Sequence, residues 1–205
     1  MSLLNAFPLG DDWVVCVDSA GLADDGSRPH VQKLFVLPFA SGVFACRGEQ
    51  SKLPAALAGQ YLTDRWGADF DGILETFPAL VQKCHDELSG HLEGWGALDQ
   101  HAQELILVGY SPRRGRVVCL LAERAAGESS FTVVEKDRGH IAPDPGFDPS
   151  TTTANDLFHL SWLTAAAQVQ RERAKDAGAP IGGHITVAVV RERRVIVSNI
   201  GSTDA

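Results

Sequence analysis

Apolar residues follow two rhythms along the chain, and the changes from one to the other divide it into blocks. Short runs rich in Val, Leu and Phe come first: Trp13 to Val17, Lys33 to Leu37, and Val43 to Cys46. Turn residues bound them at Asp11-Asp12, Asp24-Asp25-Gly26 and Ser41-Gly42, a pattern that predicts strands. Pro8 falls within the first predicted strand, where it withholds a backbone N–H. The spacing then lengthens. From Ser51 to about Trp66 it is helical, with Ser51 as N-cap and Pro54 confined to the first turn. A second helix is predicted over Phe70 to Leu88, with Ile73, Leu74, Phe77, Leu80, Val81 and Cys84 on one face and a kink or split at Pro78.

Strand patterns return at Glu104 to Gly109, Arg116 to Leu121 and Phe131 to Glu135, the first two joined by the turn "YSPRRGR". The proline-rich "APDPGFDPST" is read as a loop. Thr153 then opens a long helix, with Asp156 in its first turn, which ends at Gly178. Two closing strands follow, Ile185 to Val190 and Val195 to Ile200. Because strands and helices come in groups and not in regular alternation, a doubly wound parallel sheet is disfavoured. The order suits a layered α+β sandwich in a single domain spanning 1–205.

Composition narrows the function classes. At 205 residues, 44% hydrophobic and 21% charged, the chain can bury a substantial core. The formal net charge of −8 gives no electrostatic case for nucleic acid or an anionic membrane. Arginines cluster at Arg113-Arg114-Arg116 and at Arg191, Arg193 and Arg194, where they read as solvated hairpin turns. No apolar run reaches the roughly 18 residues of a membrane span, and the start lacks the basic and apolar regions of a signal peptide. Four isolated cysteines (Cys16, Cys46, Cys84, Cys119) without a CxxC pair indicate buried free thiols and a reducing cytoplasm.

Candidate chemistry is sparse. The seven histidines form no HExxH or Cys/His spacing, so neither a metal nor a cofactor is expected. GxSxG is absent, and "GSRPHVQK" and "APIGGHI" match neither phosphate-binding fingerprint. What stands out is that one apolar run stops on Asp18 and the next opens at Lys33. These two are either the charged floor of an active site or a structural ion pair.

The block "WVVCVDSAGLADDG…VQKLFVLPFASGVFACRGEQ" resembles the opening of proteasome-type β subunits and the related bacterial peptidase subunits, members of the N-terminal-nucleophile hydrolase superfamily. Asp18, Lys33 and Gly48 stand where that family has a strand-ending Asp, a strand-opening Lys and a small-Gly turn. The closing "DAGAPIGGHITVAVVRERRVIVS" is similar to the family's last segment, which matches Asp176 and Gly182-Gly183 to its Asp and Gly pair. Counting back by family spacing reaches Ser2, sixteen residues before Asp18.

The resemblance implies a four-layer αββα sandwich, amide or peptide hydrolysis, and self-association into a dimer or ring. It assigns Ser2 the nucleophile's place once Met1 is removed, with its α-amine as base. Lys33 would keep that amine neutral and lower the hydroxyl's proton affinity, Asp18 would orient Lys33, and backbone N–H groups at Gly48 would hold the oxyanion. The chain departs from the family in having Ser for its usual Thr, and Arg47 where a small residue is usual. A catalytically silent subunit of the same family, built for assembly or partner binding, and an unrelated α+β protein are the alternatives.

Overall fold

The computed structural model describes residues 2–21, 29–48, 53, 55–59, 69–91, 102–143, 167, 169–172, 176 and 181–202. Among these residues ten strands run β1 (Leu4–Leu9), β2 (Asp12–Asp18), β3 (Leu34–Leu37), β4 (Gly42–Arg47), β5 (Gln103–Ser111), β6 (Arg116–Arg124), β7 (Thr132–Lys136), β8 (His140–Ala142), β9 (His184–Arg191) and β10 (Arg194–Ser202). They form two antiparallel sheets, ordered β10-β9-β2-β1-β8 and β3-β4-β5-β6-β7. Every strand run read from the hydrophobic pattern is present. The pattern gave β1 no bounds, only a strand around Pro8, and missed β8, whose three residues are too few to show a period.

The two-residue repeat of a strand decides what each sheet face buries. Trp13, Val15 and Val17 of β2 meet Ile106 and Val108 of β5 and Val117, Cys119 and Leu121 of β6 between the sheets. The alternate residues of β5 and β6, Leu105, Leu107, Val118 and Leu120, point the other way, toward helical residues. Both faces of these central strands are therefore buried, which is why they read as unbroken apolar runs. Slipping either strand by one residue would exchange its two buried sets, so register is strongly specified.

One long helix, Phe70–His91, lays Phe70, Ile73, Leu74, Phe77, Val81 and Cys84 on the outer face of the second sheet. Asp69 caps it by accepting the Gly72 N–H at 2.9 Å. Asp71, in its first turn, accepts hydrogen bonds from the Ser111 hydroxyl and the Arg113 N–H. The Phe70 ring lies where a Cβ on Gly109 would stand, so only glycine lets the helix seat this closely. Pro78 does not split the helix, which runs on through it with the proline ring on the exposed face. Leu53, Leu57 and Ala58 extend the same core. The remainder of the Ser51–Trp66 helix, and most of the helix predicted from Thr153, lie outside the described residues.

The expected four-layer αββα sandwich is corrected. Among the described residues the fold is β-rich: two antiparallel sheets dominate and helices are few. Helical spacing in the sequence reports that a segment is amphipathic, not how much sheet it covers. On the far face of the first sheet, Ala167 packs with Leu3, Phe7, Val14 and Cys16, and Gln170 exchanges two 2.9 Å hydrogen bonds with Asn5 of β1. The outer strands are less covered: Val134 of β7 and Ile196 and Val197 of β10 are exposed.

Candidate functional site

β2 ends on Asp18 because its last residue turns from the intersheet core to a cluster of donors. The Asp18 side chain is 0% exposed, and burying a carboxylate requires that its lone pairs be met. Oδ1 accepts the Leu3 N–H at 2.8 Å and Lys33 Nζ at 2.8 Å; Oδ2 accepts the Gly182 N–H at 3.4 Å. Three separated stretches of chain thus converge on one carboxylate.

Lys33 precedes β3 and is 4% exposed. An ammonium has three N–H bonds, and each has a partner: Asp18 Oδ1, the Ala20 carbonyl at 2.5 Å and Ser2 Oγ at 3.0 Å. The Lys33 carbonyl accepts the Cys46 N–H at 3.0 Å, which ties this segment to β4. Burial, with Lys33 and Asp18 opposing each other in smaller amounts, pushes the adjacent Cys46 thiol up to about 12, so it is held as a neutral hydrophobe.

Ser2 is 8% exposed and is held at its hydroxyl and at its carbonyl. Lys33 donates to its hydroxyl, and Arg47 Nε donates to its carbonyl at 2.8 Å. Arg47 in turn donates from its terminal nitrogen to Glu104 Oε1 at 2.6 Å, and Glu104 Oε2 lies 3.0 Å from His140 Nε2. Burial raises the proton affinity of Glu104, but the His140 hydrogen bond and the Arg47 charge outweigh it and hold the carboxyl below its usual range. Glu123 stands opposite Glu104 across β5 and β6, an unfavourable like-charge pairing that these partners offset.

Gly48 follows Arg47 at the same end of the sheet. Its φ of +120° and the Ala102 carbonyl 2.9 Å from any Cβ leave room only for glycine. Gly182 and Gly183 also come to this end: the Gly182 carbonyl accepts the Ala20 N–H at 3.0 Å, and Gly183 has φ +73°. Asp176 does not join them. It is exposed on a helical stretch, and no described contact links it to Ser2, Asp18 or Lys33. Thus Lys33 hydrogen-bonds both Ser2 and Asp18, Gly48 lies beside the residue that holds Ser2, and no described contact joins Asp176 to them.

Sequence reasoning missed two groups. The Arg47–Glu104–His140 chain depends on Arg47 and Glu104 being direct cross-strand partners and on β8 placing His140 beside β1. Beside the site, Ser19 Oγ accepts the His184 N–H at 2.8 Å and lies 3.0 Å from His30 Nδ1, with the two imidazoles stacked at 5.0 Å. Their only signal was the nearness of Ser19 to Asp18 and of His184 to the glycine pair. Among the described residues no three His, Cys, Asp or Glu side chains are grouped to hold a metal, and no helix is long and apolar enough to cross a membrane.

No protein-family model and no curated protein matches this chain.

Proposed function

We propose that the chain is an amide or peptide hydrolase of the N-terminal-nucleophile type, with Ser2 as nucleophile once loss of Met1 frees its α-amine. The observation that carries this reading is the division of one buried ammonium among Asp18, the Ala20 carbonyl and the Ser2 hydroxyl. A cation fixed on a serine oxygen stabilises negative charge as it develops there, and a buried carboxylate fixes the cation.

In the reaction, the free α-amine takes the Oγ proton as Oγ attacks the substrate carbonyl carbon. The resulting oxyanion is assigned to backbone N–H groups at the Gly48 turn. The ammonium formed at the N-terminus then protonates the leaving amine as the C–N bond breaks, leaving an ester on Ser2. Water attacks that ester with the same amine as base, releasing the acid and restoring the hydroxyl. Asp176 is given no part in this scheme, because it is exposed and no described contact joins it to Ser2, Asp18 or Lys33.

The near-complete burial of Ser2 favours a second reading, a catalytically silent scaffold in which Asp18 and Lys33 are a structural pair. Exposed Ile196 and Val197 on the edge strand β10 suit self-association under either reading. Free, buried cysteines suit a reducing cytoplasm. The deciding experiment is intact mass and N-terminal sequencing of untagged protein, followed by treatment with a β-lactone. Ser2 at the N-terminus and an acyl group mapped to it are expected for the hydrolase. A retained Met1, or a free Ser2 that is never acylated, leaves the scaffold.

A further inference from the structure

We infer that Arg47, held by Glu104 and through it by His140, is a positioning residue that sets the geometry between the Ser2 hydroxyl and the Ser2 α-nitrogen. The inference rests on the reading of Ser2 as the nucleophile. It concerns a residue larger than the resemblance to proteasome-type subunits leads one to expect at this place.

Three anchors converge on one peptide unit. Lys33 holds Ser2 Oγ, Arg47 holds the Ser2 carbonyl, and Asp18 holds the N–H of Leu3, which completes the same peptide plane. Fixing the carbonyl and the following N–H fixes that plane, and fixing Oγ then selects the side-chain rotamer. With that plane and Oγ both held, the torsions about Cα–C and Cα–Cβ are set together, and with them the direction of the α-nitrogen relative to Oγ. A base that must take a proton from a neighbouring hydroxyl gains from such confinement.

The anchor on the carbonyl is supported from both sheets. Arg47 and Glu104 are cross-strand partners in the second sheet, whereas His140 lies on β8 of the first, paired with Ala6 of β1. Ser2 leads directly into β1. The contacts therefore close a ring, from Ser2 along β1 to β8, across to Glu104, to Arg47 and back to the Ser2 carbonyl. Glu104 is only about one-fifth exposed, and its paired charges are screened less than surface ones. A planar guanidinium suits this corner, since its Nε and terminal N–H groups donate in two fixed directions, a fork that a lysine's ammonium lacks.

The test uses the mature protein with serine labelled at its carbonyl carbon, and a β-lactone as acylating probe. In Arg47→Met the Ser2 carbonyl resonance should move upfield as its hydrogen bond is lost. The rate of Ser2 acylation should fall about tenfold, as for loss of one charge-assisted hydrogen bond, while the fold persists by circular dichroism. Glu104→Gln, which keeps an oxygen for the guanidinium, should give a smaller change in both readouts and serves if Arg47→Met does not fold. An Arg47→Met or Glu104→Gln protein with an unmoved resonance and the parent acylation rate overturns the inference. A moved resonance with an unchanged rate also overturns it, reducing the ring to structural support. If the parent protein's free Ser2 is never acylated, the hydrolase reading itself fails and the positioning role falls with it, a result distinct from the other two.

Discussion

Replacing Lys33 with Met tests the central cluster most directly, because it removes a charge while keeping most of the side chain's volume. In the native fold Lys33 is 4% exposed and Asp18 0% exposed, with 2.8 Å between their charged atoms. After substitution the Asp18 carboxylate keeps the N–H groups of Leu3 and Gly182 but loses its counter-charge, and the Ala20 carbonyl loses a donor. Removing one partner of a buried pair costs about 3–5 kcal/mol, a large share of the roughly 5–15 kcal/mol that holds a domain together. With a urea m-value of about 2 kcal/mol/M, the unfolding midpoint should fall by about 1.5–2.5 M. Asp18→Asn should also be costly, since it leaves the buried ammonium short of its anion. The double variant Asp18→Asn/Lys33→Met should be less destabilised than the sum of the two, by about 2 kcal/mol or more, because neither charge is stranded. Urea titrations followed by tryptophan fluorescence and far-ultraviolet circular dichroism supply all four corners of the cycle. A Lys33→Met midpoint within about 0.5 M of the parent would mean the pair is solvated, and the account of the site given above would fail.

Three further outcomes are expected. Gly109→Ala should destabilise by about 1–3 kcal/mol in thermal melts, since its Cβ overlaps the Phe70 ring, and combining it with Phe70→Leu should recover part of the loss. Because the folded state holds Glu104 below its unfolded value of 4.5, its contribution is present above that value and is lost as pH falls toward the depressed one. Urea midpoints from neutral to acid pH should therefore decline less steeply below about pH 4.5 for Glu104→Gln than for the parent, and parallel declines would refute this. The four free thiols are buried, and burial raises Cys16, Cys46 and Cys119, so a thiol reagent should find almost none in native protein and all four in urea.

How much of this was legible in the sequence follows from what each feature depends on. Strands β5 and β6 were readable because both of their faces are buried, which makes hydrophobicity continuous over Leu105–Val108 and Val117–Ala122. The Phe70–His91 helix was readable from its one apolar face, although Pro78 misled, since packing of that face on the sheet holds the helix together through the proline. The layer count was misjudged: amphipathic spacing says that a segment can cover something, and only packing shows that, among the described residues, the two sheets dominate. The contact of Asp18 with Lys33 was legible because each terminates an apolar run, so both charges fall at strand ends. Asp176 was placed by position in a pattern, and position along the chain does not require that a side chain face the cluster.

The ring through Arg47, Glu104 and His140 was hidden for a different reason. Arg47 and Glu104 are 57 residues apart, and what joins them is the antiparallel register of β4 and β5. That register is fixed by apolar pairs further along, Val43 with Val108 and Ala45 with Ile106, whose burial decides which charged residues meet at the strand ends. A one-residue slip would place Arg47 opposite Gln103 and send its side chain to the other face. The hydrophobic core thus selects the polar contacts of the site without touching them. Substitutions at Val43 or Ile106 that favour slippage should accordingly disturb the Ser2 carbonyl resonance before the sheets unfold, whereas equally destabilising changes at Leu74 or Phe77 under the helix should leave it in place until global unfolding. Following that resonance through mild urea in both sets of variants would decide between the two routes. If both sets disturbed it equally, the register would not be what places Arg47 on Ser2.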